Sequence, residues 1–184
     1  FDPGFANGAS MLTLILGGAR SGKSRHAQQL VETSALPVTL IATAQARDAE
    51  MAARIARHRA ERPADWQTVE EPLHLAAALQ QAAGAGQCVL VDCLTLWMMN
   101  LLEAGETVFA QERAALLNLL PTLAGEILLV SNEVGLGIIP LGELSRRFVD
   151  EAGWLNQDVA CLADNVSFIV AGLPLVLKTV KGEG

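Results

Sequence analysis

The chain lacks any excess of positive charge: 13 Lys and Arg stand against 20 Asp and Glu, a formal net charge of −7. That balance works against sequence-independent binding to nucleic acid phosphates, so no nucleic acid partner is expected. It also lacks an apolar run near the roughly 18 to 20 residues needed to cross a bilayer, and it lacks a charged, apolar and small-residue signal pattern. A soluble cytoplasmic protein with no transmembrane segment is therefore expected. Cysteine is scarce: Cys88, Cys93 and Cys161 are odd in number and make no C-x-x-C. Neither a disulfide framework nor a cysteine metal site is implied, and all three read as reduced packing residues. There is no internal repeat and no low-complexity run.

What the chain does have is apolar content, 51% of 184 residues, enough for the core of one domain. Residues 1–10, FDPGFANGAS, are aperiodic and precede Met11. They read as an expression-tag remnant, leaving 11–184 as a single nucleotide-binding catalytic domain.

The most informative stretch is the apolar run Leu12-Thr13-Leu14-Ile15-Leu16 followed by Gly17-Gly18-Ala19-Arg20-Ser21-Gly22-Lys23-Ser24. It is G-x-x-x-x-G-K-S between a strand pattern and an amphipathic helix pattern, the context of a phosphate loop. Glycines permit a turn tight enough for successive amides to point inward, and the helix start adds its positive dipole end. Lys23 is expected to reach the β and γ phosphates, and the Ser24 hydroxyl to take one position on Mg²⁺.

Further along, Pro37 to Ala42 reads as a second strand ending in the small polar tip Thr43-Ala44-Gln45, with a helix from Asp48 to about Ala60. Trp66 to Glu71 is open between an extended piece and a loop, and Pro72 precedes a helix over about 73–83. Cys88 to Asp92 is an apolar strand ending on a carboxylate. Asp92 is either a ligand of the phosphate-bound Mg²⁺ or the cap of the following helix. Leu94, Trp97, Met98, Leu101 and Leu102 form a helical stripe that suits core packing, with a share open to a subunit interface. A helix over about 108–120, a strand from Glu126 to Ser131 with a polar glycine-bearing loop, a helix over 144–163, a strand over 166–171 and an edge strand over 173–178 complete the pattern. Alternating strands and helices imply an α/β fold of the P-loop NTPase (RecA-like) class, a mainly parallel sheet covered on both faces.

The helix after the second strand carries Arg54, Arg57, Arg59 and Arg62 around His58, a local cationic surface in an acidic chain that suits a triphosphate. Neighbouring positive charge favours the neutral imidazole, whose lone pair alone can attack phosphorus. From the residues, His58 is open between nucleophile and half-buried packing histidine.

Several stretches together resemble the bifunctional adenosylcobinamide kinase/adenosylcobinamide-phosphate guanylyltransferases of cobalamin synthesis. They are GGARSGKSRHA from Gly17, IATAQARDAEMAARIARHRAERP from Ile41, W-x-T-x-E from Trp66, VLVDCLTLWMMNLL from Val89, VSNEVGLGIIP from Val130, LNQDVACLAD from Leu155 and VAGLPLVLK from Val170. The resemblance implies two reactions: transfer of the γ-phosphate of ATP or GTP to the aminopropanol hydroxyl of adenosylcobinamide, then transfer of GMP from GTP to adenosylcobinamide phosphate through a histidine-GMP intermediate. It matches that histidine to His58; Lys23, in the phosphate loop, is expected as the second catalytic residue through the charge stabilisation that the kinase step needs. It matches the nucleotide contacts to Gly17, Gly18, Ala19, Arg20, Ser21, Gly22, Lys23 and Ser24, to Ala42, Thr43 and Ala44, to Arg59, Ala60, Glu61 and Arg62, and to Glu70 and Asp92. Ser24 and Asp92 would hold the Mg²⁺. Members form homotrimers, so a homo-oligomer is expected. Asn132 and Glu133, at a strand end beside the crevice, are candidates for orienting substrate. The sequence departs from the family at Leu141-Gly142, where Glu-Asn is expected, and at Trp154, where Arg is common. Two other classes stay open: a P-loop small-molecule kinase with no covalent step, and a nucleotide-gated interaction module.

Overall fold

The computed structural model describes residues 10–46, 48–60 and 63–179, without the side chains of Arg54 and His58. Of the segment read as a tag remnant, only Ser10 lies among them. Seven strands are described: β1 (Met11–Gly17), β2 (Val38–Ala42), β3 (Gln67–Glu70), β4 (Cys88–Asp92), β5 (Glu126–Asn132), β6 (Asn165–Val170) and β7 (Leu173–Lys178). The α-helices are α1 (Lys23–Ser34), α2 (Ala49–Ala60), α3 (Leu75–Ala82), α4 (Leu94–Ala104), α5 (Glu106–Leu119) and α6 (Glu143–Leu162). The ambiguous 66–71 stretch is thus the edge strand β3.

The strands form one sheet in the order β3-β2-β4-β5-β1-β6-β7. Every pairing is parallel except β6 with β7, which is antiparallel. β5 stands between the loop-bearing β1 and the strand of Asp92, the RecA-like arrangement.

Strand alternation sorts the core into two layers. Leu12, Leu14 and Leu16 of β1, Val89 and Val91 of β4, and Ile127 and Leu129 of β5 face α3 to α6. Ile15, Leu90, Leu128 and Val130 face Ala27 and Val31 of α1. Because both faces are covered, these strands read as continuous apolar runs.

The α4 stripe lies wholly inside this core. Trp97, Met98 and Leu101 are fully buried, and the Trp97 indole donates to the Leu73 carbonyl at 2.7 Å. No part of the stripe is left for an interface, which corrects that expectation. Cys88 and Cys93 are buried, but Cys161 is exposed on α6, so only two of the three cysteines pack.

Register fixes where chemistry can occur. Gly17 pairs with Asn132, and Ala42 pairs with Asp92. The carboxyl ends of β1, β2, β4 and β5 therefore stand side by side at one rim of the sheet, where open α/β sheets place their ligand crevice.

Candidate active site

The loop after β1 is shaped by two glycines. A Cβ on Gly17 would meet Ser21 Oγ at 2.5 Å and the Ile169 carbonyl at 2.8 Å. Gly22, at the start of α1, has φ +97°, and a Cβ there would come within 3.1 Å of Gly172 Cα. The β6–β7 turn supports the loop from outside, the Gly172 amide donating to the Ser21 carbonyl at 2.8 Å. No side chain caps α1, so its first amides are directed at whatever occupies the loop. Lys23 is buried, and its ammonium donates across the loop to the Gly18 carbonyl at 3.2 Å.

β2 and β4 are joined at their ends by Thr43. Its hydroxyl donates to the Cys93 carbonyl at 2.7 Å and accepts the Cys93 amide at 3.0 Å. The Asn100 amide donates to the Thr43 carbonyl at 2.8 Å. Asp92, one residue earlier, does not cap the next helix, whose N-cap is Cys93.

These elements enclose a cavity of about 170 Å³. Ala19, Lys23 and Ser24 enter it from the loop and α1, Ala42 and Ala44 from the β2 tip, and Asp92 from β4. Helix α2 contributes Met51, Ile55 and Arg59, spaced i, i+4 and i+8 along one side, and β3 contributes Glu70. Arg59 is ion-paired with Glu70. Cys93, Leu96 and Asn132 complete the wall. Burial first, then the neighbouring Asp92 charge, pushes the Cys93 thiol up to about 11. It is protonated at neutral pH, a wall and not a nucleophile.

Eight of the residues expected to bind nucleotide or metal therefore converge: Ala19, Lys23, Ser24, Ala42, Ala44, Arg59, Glu70 and Asp92. Gly17 and Gly22 shape the loop, Gly18 and Ser21 lie in it with the Gly18 carbonyl accepting the Ser21 amide at 3.3 Å, and Arg20 is exposed with φ 58°. Thr43 is buried and turned into the β2–β4 junction. Ala60 is exposed at the end of α2. Position 58 lies on α2, but the His58 side chain, like Glu61 and Arg62, lies outside the described residues.

Asn132, a candidate for orienting substrate, lines the same cavity. Its amide donates to Thr95 Oγ1 at 2.6 Å and its carbonyl accepts from the Asn156 amide at 3.3 Å, so its backbone is held on both sides. Cys93 was legible only as a packing residue and Leu96 carried no reading, because nothing in their spacing tells a cavity wall from packing.

No cluster of three or more His, Cys, Asp and Glu arranged for a metal occurs among the described residues. Ser24 and Asp92 share the cavity, and a hydroxyl with a carboxylate is a donor set that fits a hard divalent ion completed by phosphate and water. No described helix is long and apolar enough to cross a membrane.

A family model for cobinamide kinase / cobinamide phosphate guanyltransferase matches residues 13–177. The chain is 62% identical over 169 residues to the bifunctional adenosylcobalamin biosynthesis protein CobP of Pseudomonas aeruginosa, covering 91% of this chain and 98% of that one. It is 39% and 41% identical over 182 residues to the bifunctional CobU proteins of Escherichia coli and Salmonella typhimurium, covering 91% of this chain and 100% of each. Among solved structures, a Pyrococcus horikoshii protein aligns with a TM-score of 0.56 at 10% identity, over 95% of this chain and 89% of that one. The flagellar accessory protein FlaH of Methanocaldococcus jannaschii aligns with a TM-score of 0.52 at 13% identity, over 97% and 82%. At that identity the two structures speak for the fold alone. The sequence matches extend over nearly the whole chain, and the chain belongs to the cobinamide kinase / cobinamide phosphate guanyltransferase family.

Proposed function

We propose that one nucleotide cavity serves both family reactions: phosphorylation of adenosylcobinamide by ATP or GTP, and guanylyl transfer from GTP to adenosylcobinamide phosphate through a histidine-GMP intermediate. The observation that carries this reading is the convergence of Lys23, Ser24, Asp92 and Arg59, from three separate parts of the chain, on a single cavity.

In the kinase step the loop amides and Lys23 bind the β and γ phosphates and stabilise charge on the transferring group. Ser24 and Asp92 hold Mg²⁺, which neutralises phosphate charge when bound. Asn132, fixed through its own backbone, orients the acceptor hydroxyl. In the second step, position 58 follows Ile55 by three residues and Met51 by seven, the helix spacing that goes with the cavity side of α2. The neutral imidazole of His58 forms an N–P bond to the α-phosphorus of GTP as the bond to pyrophosphate breaks. A phosphate oxygen of adenosylcobinamide phosphate then attacks the same phosphorus, giving adenosylcobinamide-GDP and releasing the histidine. The apolar residues Met51, Ile55 and Leu96 suit the face of a purine.

The same reading places the protein in the cytoplasm with its substrates and assembles it as a homo-oligomer, a trimer by family resemblance. Support for assembly comes from β7, where Leu173 and Leu175 are exposed, and from Trp154 on α6.

Incubation with adenosylcobinamide and γ-labelled triphosphate should place label on the corrinoid. Lys23→Ala should lower that transfer by about 10²-fold or more. Full transfer by a folded Lys23→Ala variant would contradict the shared phosphate site.

A further inference from the structure

A second cavity, about 560 Å³, lies between α6, β7 and the loop after β5. We propose that it receives a carboxamide-bearing edge of the corrinoid acceptor, an inference that rests on the function read above.

Four observations lead there. The first is position. Asn132 walls the nucleotide cavity, Glu133 walls the second, and the Asn156 amide bridges back to the Asn132 carbonyl. Leu16, which also lines the second cavity, immediately precedes the phosphate loop. The two spaces share a boundary at the end of β5, on the opposite side of the phosphate site from β3 and Glu70.

The second is an unpartnered polar atom. Asn156 lines the cavity, is 6% exposed, and gives its Nδ2 to Asn132, while its Oδ1 has no hydrogen-bond partner. A buried amide oxygen in this condition calls for an N–H donor.

The third is Gly153. It sits inside α6, lines the same cavity, and a Cβ built on it meets nothing within 4 Å. It is not among the glycines with positive φ. Neither backbone conformation nor packing within the chain requires glycine there, and glycine weakens a helix interior relative to alanine. What its missing side chain does is widen the cavity.

The fourth is the chemistry of the walls. Leu136, Val166 and Leu177 are apolar, and Gln157 adds a second amide beside Asn156. Lys178 closes the end near the α6 terminus by donating to the Ala160 and Cys161 carbonyls at 3.1 and 3.0 Å. A ligand with an apolar body and primary carboxamides at its edge complements such a wall. Such an amide offers an N–H to Asn156 Oδ1 once the buried Asn156 side chain turns towards it, and an oxygen to the Gln157 side chain. Cobinamide is a broad ring edged with carboxamides. Seated here, it would extend its hydroxyl-bearing arm past Asn132 towards the γ-phosphate.

The test uses Gly153→Leu, which fills the cavity, and Gly153→Ala, which adds one methyl group and favours the helix. KM for adenosylcobinamide, nucleotide affinity and mass in solution are measured for each with the full chain. The expected result is a corrinoid KM raised about tenfold or more in Gly153→Leu and a few-fold in Gly153→Ala, with nucleotide affinity within about twofold and mass unchanged. A corrinoid KM unchanged in Gly153→Leu overturns the proposal. So does a rise that comes with altered mass, since the cavity would then be covered by a second copy of the chain. If Gly153→Leu does not fold, Gly153→Ala decides by the same criteria. The parent should also discriminate against an analogue whose carboxamides are hydrolysed to carboxylates, and Gly153→Leu should lose that discrimination; undiminished discrimination assigns amide recognition elsewhere. A parent that fails to phosphorylate adenosylcobinamide overturns the function itself, whereas an active parent beside an unaffected variant overturns the cavity alone.

Discussion

Arg59, in the last turn of α2, is ion-paired with Glu70 at the end of β3, and both residues line the nucleotide cavity. Their side chains are 53% and 56% exposed, so the pair is worth no more than about 1 kcal/mol to the fold. Its consequence is positional: it ties the helix that carries residue 58 to the edge of the sheet. Glu70→Gln should therefore melt within about 3 °C of the parent while slowing protein guanylylation by about tenfold. Thermal melting beside a single-turnover guanylylation assay checks this. A large stability loss with an unchanged rate would make the pair a structural contact only.

Thr43 gives the opposite expectation. Its hydroxyl satisfies both the amide and the carbonyl of Cys93, and all of these groups are buried. Thr43→Val keeps the shape but strands the Cys93 amide, while the Cys93 carbonyl keeps the Trp97 amide at 3.2 Å, at a cost of about 1–3 kcal/mol. In a chain of this size that lowers the melting temperature by several degrees, at roughly 2–4 °C per kcal/mol. Asp92 adjoins Cys93, so triphosphate affinity should fall too. A variant that melts with the parent would remove the hydroxyl from the junction.

Thr43 also shows where sequence reasoning stops. In the sequence it was legible as part of the small polar tip of an apolar strand, and only the family resemblance matched it to a nucleotide contact; the Cys93 carbonyl that it bonds is 50 residues away. The phosphate loop was legible because strand, glycines, Lys23 and helix are contiguous and each local preference agrees. Asp92 was legible because a carboxylate ends an apolar run. Strand order was not, since no local pattern places β5 between β1 and β4 or sets Asn132 opposite Gly17. The α4 stripe was visible, but its periodicity does not say whether a core or another subunit covers it. Cys161 belongs to the same class: helix spacing placed it, and only packing shows it exposed. Gly153 carried no readable signal, because its meaning lies in the empty space beside it.

His74 precedes α3 and meets Glu112 of α5, Nδ1 to Oε1, at 2.7 Å. The hydrogen bond and then the charge of Glu112 raise its pKa above the ordinary value of 6.5. A raised folded-state pKa means the contribution is fully present below the unfolded pKa and is lost as pH rises through the folded one. The imidazole is 62% exposed, so solvent screening keeps the effect below about 1 kcal/mol. Urea midpoints at pH 5.5 and 8.5 should show His74→Ala destabilised relative to the parent only at the lower pH. An equal offset at both values would assign the loss to packing.

The central claim is that one site both phosphorylates and guanylylates, the second reaction passing through His58. The most direct measurement is to incubate the protein with Mg²⁺ and GTP labelled on the α-phosphate, denature it, and look for label on the chain, with His58→Ala alongside. The account predicts acid-labile, alkali-stable label on the parent, none on the variant, and kinase activity retained by the variant. Absence of label on a parent that binds GTP, or equal label on His58→Ala, would contradict it.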